Sequence, residues 1–118
     1  MKLLTMFFVL ILGGAAQAMT AKVVNSTDVR FMADLILTRT SGGAPLSVVD
    51  DKILAPGEAF EKSYGVLDTN ELVLRYEIIS TDNKPICLGK VDVTSKSNFK
   101  LVVDGHPGMA PVDCKVTQ

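Results

Sequence analysis

From residue 20 onward, apolar and polar residues alternate with a period of two over most of the chain. That is the pattern of strands with one face buried and one face in water. Over Val29–Thr38, Val29, Phe31, Ala33, Leu35 and Leu37 share one face, and Arg30, Asp34 and Thr38 share the other. Over Glu71–Ser80, Leu72, Leu74, Tyr76 and Ile78 lie opposite Arg75 and Glu77, which are joined by Val73 and Ile79. A helix is the rival for that segment, but its β-branched and aromatic content and the turn residues on both sides select a strand. Ile86–Thr94 sets Cys87, Gly89, Val91 and Val93 against Lys90, Asp92 and Thr94, and Phe99, Leu101 and Val103 alternate with Lys100 and Asp104. Shorter pieces are Ala21–Asn25, Leu46–Val49, Lys52–Leu54 beyond Asp50-Asp51, Glu58–Tyr64, and a tail carrying Cys114 and Val116.

Turn residues punctuate these runs. Asn25-Ser26-Thr27-Asp28 predicts a turn, because such side chains bond their own backbone. Thr40–Pro45 is a loop, and Ala55-Pro56-Gly57 is a turn in which Pro sets φ and Gly is free to take positive φ. Leu67–Asn70, Thr81–Pro85, Ser95–Asn98 and Asp104–Gly108 complete the series. About seven or eight short strands at turn spacings of roughly 8–12 residues predict an all-β fold. The specific expectation is a small antiparallel β-sandwich of immunoglobulin-like architecture, since the connections are too short for parallel crossovers. The Cys-Trp-Cys pattern of immunoglobulin domains is missing, so that label rests on architecture alone.

The first eighteen residues stand apart. Met1-Lys2, an apolar run from Leu3 to Leu12, and small residues with Ala16 and Ala18 spaced as A-x-A read as a cleavable signal peptide over 1–18. The run is shorter than the roughly 20 residues that span a bilayer, so no stable membrane span is expected after cleavage. A single domain over 19–118, exported to the periplasm or secreted, is the expectation. Removing Lys2 with the leader leaves 11 cations against 13 carboxylates, a net charge of −2. The basic residues are scattered, which removes the electrostatic footprint of a nucleic-acid binder.

Cys87 and Cys114 are the only two cysteines, and in an exported chain they are expected to pair. A Cys-x-x-Cys redox motif is absent. His106 is the only histidine and lies in Asp104-Gly105-His106-Pro107-Gly108 without a Gly-x-Ser-x-Gly nucleophile motif, so no catalytic residue is assigned. His106, Met109 and Cys114 offer copper-type donors, but a blue-copper site needs two histidines. Asp50-Asp51 with Asp68 or Glu58 offers oxygens for calcium without an Asp-x-Asp-x-Asp-Gly loop. No metal and no cofactor is assigned. Glu58 with Glu61, or Glu71 with Glu77, resembles a carboxylate pair, but few aromatics are at hand to hold a sugar. Asn25-Ser26-Thr27 matches the N-glycosylation pattern and is equally explained as a turn.

Small size, one histidine and no catalytic constellation point to a non-enzymatic binding or accessory module with a protein or small-molecule partner. The candidate binding loops are Thr40–Pro45, with Ser41, Gly42 and Gly43, and Asp104–Pro111, with Asp104, His106, Pro107 and Met109. Two alternatives accompany it. One is a self-assembling envelope component, a homo-oligomer paired through edge strands at Val23-Val24 or Val112–Val116. The other is a small secreted effector or hydrolase using His106.

Overall fold

A computed structural model describes residues 18–107 and 112–118. Residues 1–17 of the expected signal peptide over 1–18, and Met109 and Pro111 of the second candidate loop, lie outside the described residues. Eight strands follow one another: β1 (Thr20–Thr27), β2 (Phe31–Arg39), β3 (Ser47–Leu54), β4 (Ala59–Ser63), β5 (Leu72–Ser80), β6 (Pro85–Val93), β7 (Asn98–Gly105) and β8 (Asp113–Thr117). No helix occurs among the described residues. The strands form two four-stranded sheets, ordered β4-β1-β7-β8 and β3-β2-β5-β6. The alternating apolar residues meet between the sheets. Phe31, Leu35 and Leu37 of β2, with Leu72, Leu74 and Ile78 of β5, face Ala21 and Val23 of β1 and Phe99, Leu101 and Val103 of β7, all buried.

The result is an all-β sandwich, as the alternation predicts; its strand order is not that of a constant-type immunoglobulin domain, and other expectations are corrected. Constant-type immunoglobulin domains keep their first, second, fourth and fifth strands in one sheet. Here β1 and β2 belong to different sheets. Pairing is antiparallel except between β1 and β7, which run parallel from Thr20↔Asn98 to Thr27↔Gly105. Short connections forbid parallel pairing only between consecutive strands, and these two are separated by five others. Asn25-Ser26-Thr27 is the end of β1 and not a turn; the chain reverses at Asp28–Arg30. Leu46–Val49 and Lys52–Leu54 are not two pieces. From Ser47 onward they belong to one strand, whose register against β2 shifts between Ala33 and Leu35 while Asp51 takes a φ of 52°. That β-bulge inserts the extra residue that the Asp50-Asp51 pair represents.

Connection chemistry is local where it was legible. The Ala55–Glu58 turn closes through Glu58 N–H to the Ala55 carbonyl at 3.0 Å, with Gly57 at φ 86° as a type II turn requires. The β5–β6 hairpin closes through Ser80 N–H to the Lys84 carbonyl at 2.8 Å, with Asn83 in the left-handed region.

Cys87 of β6 and Cys114 of β8 form a disulfide with their Cα atoms 6.3 Å apart. Both strands are sheet edges, so the bond joins the two sheets along one open side of the sandwich. Along the other side, β3 and β4 meet, and their inward lysines cover the seam. The Lys52 ammonium lies 5.2 Å from the Phe60 ring centre, and that of Lys62 lies 5.7 Å from the Tyr64 ring centre.

Candidate functional site

The two candidate loops occupy opposite ends of the sandwich and cannot share a ligand. Thr40–Pro45, with Ser41, Gly42 and Gly43, follows β2 at the end where β1 and β7 begin. Thr40 N–H bonds the Glu71 carbonyl and Gly42 N–H the Arg39 carbonyl, both at 2.9 Å. The glycines serve the turn itself, with φ of 100° at Gly42 and 95° at Gly43. The segment from Asp104 lies at the far end, beside the β1–β2 and β5–β6 connections.

At that far end, Val29 and Arg30 of the β1–β2 connection, Ser80, Thr81, Asp82 and Lys84 of the β5–β6 hairpin, and Pro107 and Val112 line a cleft of about 740 Å³. Three other clefts hold only about 220–290 Å³ each. Pro85, Ile86 and Val112 supply apolar wall, and Arg30, Asp82 and Lys84 supply charge. Asp82 is already engaged. Ser80 donates its hydroxyl to it, holding its carboxyl below the usual range, and the Lys84 ammonium lies 3.9 Å away. Among the described residues no carboxylate stands within ion-pair distance of Arg30.

The cleft is underpinned by a buried polar knot that sequence reading treated only as a turn. Asn25 is fully buried and donates both hydrogens of Nδ2, to the Val29 carbonyl at 2.8 Å and the Leu54 carbonyl at 2.9 Å. Its Oδ1 accepts from the Thr27 N–H at 2.9 Å and the Thr27 hydroxyl at 2.6 Å. These bonds fix the path of Thr27–Val29 into β2 and the end of β3. They also close the glycosylation pattern, because a sugar on Nδ2 would displace one of the two buried donors. No signal in one sequence separates a buried asparagine from a turn asparagine.

His106 stands at the same end. Its Nδ1 lies 2.9 Å from Asp28 Oδ2, both side chains are exposed, and the contact holds the Asp28 carboxyl below its ordinary range. Asp28 was read only as part of a turn. Among the described residues no hydroxyl or thiol bonds to His106. Cys114 is committed to Cys87, which removes the His106, Met109 and Cys114 copper set.

The calcium grouping is corrected as well. Asp50 and Asp51 join neither Asp68, which pairs with Arg39 at 3.2 Å, nor Glu58, which accepts the Ala55 N–H at 2.7 Å. They cluster instead with Asp34 across the β2–β3 bulge, their carboxylate oxygens within 4.8 Å of one another. Asp34 accepts the Asp51 N–H at 2.6 Å. Desolvation, then the charges of Asp50, Asp51 and Glu77, push its carboxyl up. Three carboxylates are a partial oxygen set, short of the six to eight that calcium takes. The cluster lies on the outer face of the β3-β2-β5-β6 sheet, the face that also exposes Val48 (56%), Ile53 (53%) and Leu88 (60%). The chain matches no protein-family model, and no similar curated protein is found.

Proposed function

We propose that the protein is an exported, non-enzymatic binding or accessory module. Its ligand is held where the β1–β2 connection and the β5–β6 hairpin meet Pro107 and Val112. The observation that carries this reading is the 740 Å³ cleft there. Small-ligand sites are concave, roughly 300–1,000 Å³, and apolar apart from a few polar groups. Connections held on a rigid sandwich are suited to such a role, and in that plan alone the protein is immunoglobulin-like. The disulfide is compatible with an oxidising compartment, periplasmic or extracellular.

The test is native mass spectrometry of the protein isolated from its own envelope and culture fluid. We expect a stoichiometric small molecule or protein to co-purify, and Thr81→Trp, at the mouth of the cleft, to lose it. Retention of the ligand by that variant would falsify the assignment.

Edge pairing is the alternative for which one observation speaks: β8 is a sheet edge. Val23-Val24, its other supposed edge, belongs to β1 and is interior, between β4 and β7. With five residues and the charges of Asp113 and Lys115, β8 has the short, charged character that discourages pairing. The hydrolase reading is supported by the His106–Asp28 contact, since a carboxylate-oriented imidazole is two members of a triad. Unchanged hydrolysis of ester and peptide panels by His106→Ala would remove it.

A further inference from the structure

We propose that this cleft takes a small organic anion with an apolar body, and that Arg30 is its counter-charge. The inference rests on the binding-module reading and adds the chemical class of the ligand. Two cations, Arg30 and Lys84, line the cleft against one carboxylate, Asp82. Ser80 and Lys84 occupy that carboxylate, so among the described residues the charge left without an ion-pair partner is the Arg30 guanidinium. A guanidinium binds carboxylate, sulfonate or phosphate through two parallel N–H donors. The apolar lining of Val29, Pro85, Ile86 and Val112 gains nothing from a bare inorganic anion. It is covered only when the anionic head carries an apolar body. The volume suits one molecule of drug size.

The probes are 8-anilinonaphthalene-1-sulfonate, its neutral relative N-phenyl-1-naphthylamine, and inorganic phosphate, titrated into the purified disulfide-bonded protein. Binding is read by fluorescence and by amide chemical shifts. We expect the sulfonate to saturate, with shifts centred on Val29, Arg30, Ile86 and Val112, and to bind about tenfold more tightly than the neutral probe. Arg30→Gln should weaken the sulfonate about tenfold and leave the neutral probe unchanged. Arg75→Gln, mid-strand in β5 on the outer face of the β3-β2-β5-β6 sheet, should change neither. Equal binding of both probes in the cleft, or indifference to Arg30→Gln, overturns the anion assignment and leaves the binding-module reading standing. Full displacement of the sulfonate by equimolar phosphate overturns the need for an apolar body. Shifts centred elsewhere, or no saturation by either probe, overturn both the inference and the reading beneath it.

Discussion

Gly89 faces the interior directly across from Tyr76, and the Tyr76 ring lies over it. A Cβ there would meet Tyr76 Cζ at 2.6 Å. Tyr76 has little room to yield, because its ring packs against Phe99 with centroids 5.9 Å apart. Gly89→Ala should therefore destabilise the fold by about 1–3 kcal/mol, measured by urea titration. Tyr64 is a contrasting case. It is buried, its hydroxyl has no hydrogen-bond partner among the described residues, and burial pushes the phenol above its ordinary 10.0. A raised folded value means stability is present below pH 10 and lost as pH rises through that value. Tyr64→Phe should be neutral or stabilising by up to about 1 kcal/mol at pH 7. It should also flatten the alkaline limb of a stability-against-pH curve. Neither result was available from the sequence, in which Gly89 and Tyr64 are simply strand residues. What surrounds each is set by another strand.

At the scale of elements, the edges and the bulge carry the testable consequences. Inward-pointing lysines on edge strands discourage pairing with other chains. Replacing Lys52 and Lys62 together by Val should raise the concentration-dependent mass of the protein in sedimentation, and an unchanged mass would refute the guarding role. Across the bulge, Asp34 is less comfortable ionised in the folded state than in the unfolded chain. Its folded value is raised, so its contribution favours folding below pH 3.8 and declines as pH rises through the folded value. Asn keeps an oxygen for the Asp51 N–H and removes one like charge. Asp34→Asn should therefore raise stability at pH 7 by a few tenths of a kcal/mol, the solvent-screened size of such repulsions. The effect should vanish near pH 3, as thermal melts at both pH values would show. Alternation located β2, β5, β6 and β7 to within a residue or two. It split β3 because two adjacent acids interrupt a period of two, and a bulge looks identical to a break when no partner strand is visible.

For the molecule as a whole, the Cys87–Cys114 bond is a side-chain cross-link between the two sheets. It spans 27 residues, a loop whose closure stabilises by roughly 3–4 kcal/mol in the chain-entropy model. The double Cys87→Ser, Cys114→Ser variant should lose about that much in denaturant titration. β8, the edge strand tied by the bond, should be the first to lose amide protection in hydrogen exchange. Equal protection of β8 in both proteins would mean that its pairing with β7 is sufficient by itself. The pairing of the cysteines followed from there being only two. That they close a side of the sandwich opposite the lysine-covered seam is a property of strand order.

The sequence by itself determined which residues face inward, that the chain is all strand and turn over the described residues, and which cysteines bond. The first two depend on neighbours two to four positions away, where side-chain period and turn chemistry act, and the third on there being only two cysteines. Only the tertiary structure decided that β1 lies inside its sheet and parallel to β7, that Asn25 is a buried hub, and that Asp34 belongs with Asp50 and Asp51. It also decided that Val29 and Arg30, the β5–β6 hairpin, and Pro107 with Val112 surround one cleft while Thr40–Pro45 lies at the other end. Each of these is a meeting of residues separated by whole strands. Such meetings are chosen by the sum of core packing across two sheets, which no local pattern encodes.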